Sequence, residues 1–151
     1  MSLSKNNQDT KSYLILGGAG FIGKNLCDKI LKQGDYVLSL DNYITGFLEN
    51  TDALQARYPL NFNFLNHDIT RKIDIDIGSF DYVINLACPA SPPKYQKYPI
   101  DTMLTSVMGT KNALDFAIEC DAIFIQASTS EVYGDPNISP QHEMYRGNVN
   151  T

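Results

Sequence analysis

Short apolar runs alternate with amphipathic or polar stretches along the chain as far as Ala127. Five of these runs have the length and composition of β-strands, and they cover residues 13–16, 36–40, 62–65, 82–87 and 122–127. The runs are nearly continuous in apolar residues, which is typical of strands buried on both faces of a parallel sheet. We therefore expect about five parallel strands.

Two longer stretches carry apolar residues at the three- and four-residue spacing of a helix. The first begins at Phe21 and is expected to end near Gly34. The second covers residues 100–119, and its candidate core residues are Met103, Leu104, Val107, Met108, Leu114 and Ala117. Strands separated by helices predict an α/β fold, a doubly wound parallel sheet with helices on both faces.

The remaining segments predict little regular structure. Residues 88–99 are expected to be irregular, because proline is excluded from helix interiors and donates no hydrogen bond to a sheet; the prolines are Pro89, Pro92, Pro93 and Pro99. A short helical piece is expected over residues 52–58, a turn-rich connection over 73–77, and no element after Pro136. We expect residues 1–11 to be a disordered arm and residues 12–151 to be a single domain.

Composition narrows the class of protein without identifying it. The 151 residues are 43% hydrophobic and 19% charged, as in one ordinary globular domain. The net charge of −5 argues against nucleic acid and anionic membranes as partners, and no stretch reaches the roughly 18 apolar residues of a membrane span. Three cysteines without a Cys-x-x-Cys pair, and two distant histidines, predict reduced thiols, a cytoplasmic location and no metal site.

A glycine-rich turn joins the first strand to the first helix. Gly17, Gly20 and Gly23 recur at three-residue spacing in LILGGAGFIGKNL, and residues 18–23 also fit the dinucleotide fingerprint G-x-G-x-x-G. Glycines at this spacing allow a tight turn, close approach of the backbone to a diphosphate, and tight packing of helix on strand. The free N–H groups that begin the helix would face the phosphates. A tight turn without a ligand is the alternative.

Two aspartates follow strands at positions that suit a bound dinucleotide. Asp41 ends the second strand 18 residues after Gly23, near the separation of ~20 expected of the carboxylate that binds the ribose hydroxyls. A carboxylate there repels the extra phosphate of NADP, so NAD is the predicted cofactor. Asp68 follows the third strand and is expected near the adenine, with a turn cap ahead of Thr70 as the alternative.

Polar side chains gather where the fifth apolar run ends, in QASTSEVYGD. Thr129, Ser130 and Glu131 are expected at the carboxyl edge of the sheet. Hydroxyls in such a place either cap local backbone groups or belong to an active site. The pattern alone leaves both interpretations open.

Several short sequences together resemble the extended short-chain dehydrogenase/reductase superfamily, the NAD-dependent epimerases and dehydratases. These are the glycine turn, DN at 41–42, HDIT at 67–70 and NLA at 85–87. Within the superfamily, LACPASP, VMGTKNALDFA, ASTSEVYGDP and YRGNVN resemble UDP-glucuronate decarboxylases, which make UDP-xylose. The similarity extends from about Tyr13 to Asn150 and implies a Rossmann-type fold.

The resemblance implies a role for each matching position. Residues 21–22 would bind the diphosphate, residues 41, 42 and 45 the adenosine ribose, residues 68–69 the adenine, and the others the rest of the cofactor. The implied cofactor-binding residues are Gly17, Gly20, Phe21, Ile22, Gly23, Asp41, Asn42, Thr45, Asp68, Ile69, Leu86, Ala87 and Thr105. Thr129, Ser130 and Glu131 would face the sugar of a nucleotide-sugar substrate as the catalytic set.

The implied reaction is decarboxylation of UDP-glucuronate through a 4-keto sugar. NAD takes hydride from C4, the resulting β-keto acid loses carbon dioxide, and the hydride returns. Thr129 would bind the C4 oxygen, and Ser130 and Glu131 would lie near C5 and the carboxylate. Related nucleotide-sugar 4,6-dehydratases carry an aspartate at the position of Ser130, where it protonates the departing hydroxyl, so the serine favours decarboxylation.

The sequence also departs from the family pattern. It contains no Tyr-x-x-x-Lys, the motif of the superfamily's general base. We expect the later strands and the substrate domain to be missing, and this chain alone to be inactive. Asp101 and Leu104 occupy positions where relatives usually carry lysines for the acidic substrate. A 4,6-dehydratase, a 4-epimerase and a non-catalytic NAD-binding module stay open as alternatives. A homo-oligomer is expected, because half a doubly wound sheet exposes an edge and apolar surface.

Overall fold

The computed structural model describes residues 10–75 and 78–149, and within them five parallel strands form one sheet. The strands are β1 (Ser12–Leu16), β2 (Tyr36–Asp41), β3 (Phe62–Asn66), β4 (Tyr82–Asn85) and β5 (Ile123–Gln126). Their order is β3-β2-β1-β4-β5, so that β1 lies at the centre. In the register, Tyr13 of β1 is opposite Val37 of β2 and Tyr82 of β4.

Helices connect the strands and cover both faces of the sheet. They are α1 (Phe21–Leu31), α2 (Leu48–Arg57), α3 (Pro92–Lys97), α4 (Pro99–Leu104) and α5 (Thr110–Glu119), with a π-helical turn (Thr105–Gly109) that joins α4 to α5 and a 3₁₀ helix (Ser130–Tyr133) after β5. None of the helices described is long and apolar enough to span a membrane. The doubly wound α/β fold predicted from the sequence is confirmed.

The core consists of two layers because successive side chains of a strand point to opposite faces. On one face, Leu14 and Leu16 pack with residues of α5 such as Ala113 and Phe116. On the other, Ile15 belongs to a cluster with residues from α1, α2 and the strands β2, β3 and β4; these are Cys27, Ile30, Leu31, Val37, Leu54, Phe62 and Ile84. The central strand is therefore buried on both faces, as its continuous apolar sequence predicted.

The segment from α4 to α5 contacts the sheet through other residues than predicted. Of the six candidates only Ala117 is buried, whereas Met103 is 54% and Val107 is 63% exposed. The buried positions of the segment are Thr105, Gly109, Ala113, Phe116 and Ala117. A Cβ added to Gly109 would lie 2.6 Å from Ile69 Cδ1, so small side chains allow the close approach. The larger apolar side chains consequently point outward, and the prediction of the core was wrong here.

Residues 88–99 are not irregular throughout, as their prolines predicted. Pro92 and Pro93 occupy the first positions of α3, and Pro99 begins α4. Proline is tolerated in a first turn because the N–H group that it lacks would have no partner inside the helix. The prediction was wrong because it treated each proline as a helix breaker regardless of its position.

The last strand, β5, lies at an edge of the sheet and is not buried. In the part of the chain that the structure describes it pairs with β4 alone, and Ile123 is 58% and Ile125 is 45% exposed. An apolar run predicts a strand but does not reveal which strand is at the edge. The helix expected over 52–58 is also longer, since α2 begins at Leu48.

Some expectations fall on residues that the structure does not describe. Residues 1–9 of the expected arm lie outside the described ranges, whereas the Lys11 backbone is bonded to Asp35 Oδ1 (3.0 Å) and to the Tyr36 N–H (2.9 Å). In the connection predicted over 73–77, residues 73–75 belong to no helix or strand, and residues 76–77 lie outside. After Pro136 the chain contains turns and one isolated bridge, between Gly134 and Asn148.

Candidate dinucleotide-binding site

A cleft opens at the carboxyl edge of the sheet, where β1, β2 and β4 end. Here the chain crosses from β1 to β2 on one side and later to β4 on the other. Ligands of open α/β sheets bind at such a switch point. The lining residues are Gly17, Gly20, Leu40, Asp41, Asn42, Ile44, Thr45, His67, Ile69, Leu86, Ala87, Cys88, Pro89 and Thr105.

The glycine-rich turn forms the floor of the cleft. Gly17 has φ +83°, and its N–H group donates to Leu40 O at 2.7 Å. A Cβ on Gly17 would lie 2.8 Å from Ala87 N, and one on Gly23 would overlap Gly17 O and lie 2.6 Å from Gly18 Cα. These contacts need glycine: the first lets the turn fit between two strand ends, and the second lets α1 approach β1.

The first turn of α1 presents unpaired backbone donors. Lys24 N donates to Gly20 O at 3.0 Å, but among the described residues no protein acceptor binds the N–H groups of Phe21, Ile22 and Gly23. The side chains of Phe21 and Ile22 are largely exposed and do not line the cleft. What these residues can offer an anion is therefore their backbone, together with the positive end of the helix dipole.

The Asp41 carboxylate lies beside the turn, at the end of β2. Its Oδ2 accepts a hydrogen bond from Ala19 N at 2.9 Å, and its Oδ1 accepts one from Tyr43 N at 2.8 Å. Burial raises the pKa of Asp41 above its usual value, although these two backbone bonds lower it in part. Each carboxylate oxygen keeps a second lone pair, so two hydroxyl groups can still be bound.

Of the four site residues predicted after β2 and β3, three line the cleft and one does not. Asn42 and Thr45 line the cleft, and the Asn42 side chain accepts a hydrogen bond from Ile44 N at 3.1 Å. Ile69 lines the cleft and is 4% exposed. Asp68 is not among the lining residues, and its Oδ1 accepts a hydrogen bond from Thr70 N at 2.9 Å. The turn cap weighed for Asp68 is therefore present, and its contact with adenine stays a prediction.

The far wall of the cleft is formed by Leu86, Ala87 and Thr105, all three expected there. The end of β4 is fixed by Asn85, which is 1% exposed. Its side chain accepts from Ala87 N at 3.2 Å and donates to Gln126 Oε1 at 3.0 Å. Thr105 lies on the π-helical turn, a distortion that often occurs at functional sites.

The three predicted catalytic residues lie after β5, at the same edge of the sheet but outside the cleft lining. Thr129 precedes the 3₁₀ helix, and its Oγ1 accepts a hydrogen bond from Glu131 N at 3.2 Å. Thr129, Ser130 and Glu131 are all exposed to solvent. The capping interpretation thus applies to Thr129, and the catalytic role of the set stays a prediction.

Sequence reasoning missed five lining residues, namely Leu40, Ile44, His67, Cys88 and Pro89. Four of them stand directly before or after a predicted site residue, and Pro89 follows Cys88; these positions were the available signal. The backbone N–H group of His67 donates to Asp41 O at 3.0 Å. Its ring nitrogen Nε2 is buried without a hydrogen-bond partner among the residues described.

The residues present fit NAD. A glycine floor without side chains and the unpaired helix N–H groups suit a diphosphate. The Asp41 carboxylate, which keeps free lone pairs, suits the hydroxyls of a ribose. Within residues 10–75 and 78–149, no group of three or more His, Cys, Asp or Glu side chains is placed to hold a metal ion.

Comparison with known proteins agrees with this geometry. The chain is 43% identical over 145 residues to UDP-glucuronic acid decarboxylase 1 of Danio rerio; this covers 96% of the chain but 34% of that relative, so the chain spans about a third of its length. A crystal structure of a UDP-galactose 4-epimerase is 26% identical and superposes with a TM-score of 0.74, over 91% of this chain and 45% of that one.

A UDP-glucose-4-epimerase from Stenotrophomonas maltophila, solved with bound NAD and formylated UDP-arabinopyranose, has the same fold, with a TM-score of 0.79 at 21% identity over 93% of this chain and 44% of that one. The sequence model of the family described as "NAD dependent epimerase/dehydratase family" matches residues 13–151, nearly the whole chain. The chain therefore belongs to the NAD dependent epimerase/dehydratase family.

Proposed function

We propose that this chain is the NAD-binding portion of an enzyme that decarboxylates UDP-glucuronate to UDP-xylose. The observation that carries the proposal is 43% identity to a UDP-glucuronic acid decarboxylase over 96% of the chain. Because the chain spans about a third of that relative, the substrate-binding part and the general base would come from other residues than these 151.

The cleft residues would hold NAD along the edge of the sheet. Asp41 would accept hydrogen bonds from the adenosine ribose hydroxyls, and the N–H groups of Phe21 and Ile22 would donate to the diphosphate. Leu86, Ala87 and Thr105 would contact the other half of the dinucleotide. When bound, NAD supplies the oxidant that converts the C4 hydroxyl of the sugar to a ketone and afterwards returns the hydride.

The residues after β5 would contact the sugar. Thr129 Oγ1 accepts from Glu131 N, which leaves the hydroxyl proton free to be donated to the C4 oxygen. Ser130 has a hydroxyl that is a poor proton donor at neutral pH, so the site lacks the acid that a dehydration needs at this position. Loss of carbon dioxide from a β-keto acid requires no such acid.

NAD binding is tested by calorimetry on the chain and on the Asp41→Ala variant. We expect NAD to bind the unmodified chain and the variant to bind at least about tenfold more weakly, since hydrogen bonds to a charged group contribute roughly 1.5–3 kcal/mol. Asp52→Ala, which removes an exposed carboxylate from α2, is the matched control and should bind normally. Equal affinities for all three proteins would contradict the assignment of Asp41.

The reaction is tested with a chimera that carries residues 13–149 in place of the matching segment of the Danio rerio relative. Supplied with NAD and UDP-glucuronate, the chimera should release carbon dioxide and form UDP-xylose. Glu131→Gln in the chimera should lower turnover while leaving NAD affinity unchanged. A chimera that binds NAD but leaves UDP-glucuronate unchanged would reject decarboxylation.

A 4-epimerase is the second candidate, favoured by the 26% identity and the TM-score of 0.74 to a UDP-galactose 4-epimerase. The same chimera separates the two, because an epimerase site would interconvert UDP-glucose and UDP-galactose without release of carbon dioxide.

A further inference from the structure

The cleft is lined by no lysine or arginine that could offset the charge of a dinucleotide, as far as the structure describes it, whereas Asp41 contributes a carboxylate. The diphosphate of NAD carries two negative charges. Backbone N–H groups supply only partial charges, so the nearest cation outside the lining becomes important for affinity.

Lys24 is a cation held next to the glycine-rich turn. Its Nζ donates to Asn50 Oδ1 at 3.1 Å, and the amide of the same Asn50 side chain donates to Ala19 O at 2.8 Å. Ala19 O also accepts from Phe47 N at 3.2 Å. A single side-chain amide thus fixes the ammonium group beside the peptide at the centre of the turn.

The charge of Lys24 is not neutralised by this contact. Its partner is a neutral amide, and in the described chain no carboxylate lies within ion-pair distance of its Nζ. By contrast, Lys32, which directly follows the same helix, is paired with Asp28 at 2.6 Å. Lys24 lies in the first turn of α1, where side chains lean towards the N-terminus of the helix and hence towards the unpaired N–H groups.

We propose that Lys24 is a further cofactor-binding residue, which supplies the cation for the diphosphate, and that Asn50 is the positioning residue that holds it there. The inference rests on the proposed function, because it assumes that a dinucleotide occupies the cleft. The rival explanation is that the contact only ties α1 to α2. That explanation predicts no preference for ligands with phosphate groups.

A ligand series that differs in phosphate content tests the proposal. Dissociation constants for adenosine, ADP and NAD are measured by calorimetry on the unmodified chain and on Lys24→Met. We expect the variant to bind ADP and NAD about tenfold more weakly but adenosine within about twofold, because an ammonium attracts only the charged ligands. The salt dependence of ADP binding should also be shallower in the variant.

Three further variants complete the design. Lys24→Arg keeps the positive charge and should retain most of the ADP affinity. Lys29→Met removes a charge from the last turn of α1 that forms no ion pair in the described chain, and it should bind like the unmodified chain. Asn50→Ala should weaken ADP binding, but less in the Lys24→Met background, since the two residues act as one unit.

The proposal is overturned if Lys24→Met binds ADP normally, or if it loses adenosine and ADP affinity equally. The second result would mean that the residue only shapes the turn. Failure of the assumed NAD binding looks different, because the unmodified chain itself would then bind none of the three ligands, and failure of decarboxylation alone would leave these affinities unchanged.

Discussion

Asp41 is a half-buried carboxylate that binds the backbone of the glycine-rich turn, and its protonation affects the stability of the fold. Burial raises its pKa in the folded chain, so the folded state binds this proton more tightly than the unfolded state. Its contribution to the free energy of unfolding is therefore fully present below the pKa of the unfolded chain, and it is lost as pH rises through the raised folded value.

Urea unfolding at a series of pH values measures this effect. The free energy of unfolding of the unmodified chain, minus that of Asp41→Asn, should fall as the pH rises from about 4, near the ordinary pKa of aspartate, towards neutrality. Asp52→Asn serves as a control without this dependence. NAD affinity should move in the opposite direction and increase with pH, because the ribose hydroxyls need the ionised carboxylate. A difference in stability that grows with pH would contradict the assignment.

At the scale of residues, the sequence predicted those parts of the site that depend on backbone position. Gly17, Asp41 and Ala87 line the cleft because each lies at or just after the end of a strand, and strand ends can be predicted from an apolar run. His67 also follows a strand, but a histidine there has no fixed role. The role of Lys24 was not predicted, because its contact with Asn50 joins two helices whose relative placement no local pattern contains.

The strand–turn–helix element separates two roles of glycine that a sequence motif merges. A Cβ on Gly23 would overlap Gly17 O, whereas a Cβ on Gly20 would meet Gly17 O at an ordinary 3.5 Å. Gly20 also has φ −75°, which any residue can adopt. Gly23 is therefore required by packing, whereas packing does not require Gly20, and we predict that the cofactor does.

Two alanine variants test this separation. Gly23→Ala should lower the free energy of unfolding by about 1–3 kcal/mol, the usual cost of overpacking. Gly20→Ala should change it by no more than ~0.5 kcal/mol, yet weaken NAD binding, because the methyl group occupies the space through which the diphosphate approaches. Thermal unfolding and calorimetry give the two quantities. Equal destabilisation by both variants would show that the motif acts as one structural unit.

At the scale of elements, strands were predicted more faithfully than helix faces. A strand that is buried on both faces, such as β1, can be recognised in the sequence because its consecutive buried residues are apolar. The α4–α5 segment packs through Thr105, Gly109 and Ala113, whose small size rather than hydrophobicity permits contact, so the hydrophobic pattern indicated the wrong face. The start of α3 was missed because the position of a proline within a helix, not its presence, decides the outcome.

At the scale of the whole molecule, a stripe of apolar side chains is exposed along the α4–α5 segment. The stripe consists of Ile100, Met103, Leu104, Val107 and Met108. We expect the chain to self-associate through it, because contiguous exposed apolar surface of this kind is rare on monomers. In sedimentation experiments Val107→Lys should raise the monomer fraction. Leu60→Lys, at an exposed apolar side chain outside the stripe, should not; an equal response of both variants would contradict the role of the stripe.

The pairing of β1 with β4 also determines when in folding a ligand can act. Residue 13 must meet residue 82 before the far wall of the cleft exists, so the site depends on a contact between distant parts of the chain. Such contacts form late, because the intervening loop has to be closed first. We therefore expect that during synthesis on the ribosome β1 to β3 pair before the cofactor can bind. NAD would then stabilise only molecules in which β4 has already docked, and would slow their unfolding without guiding the earlier steps.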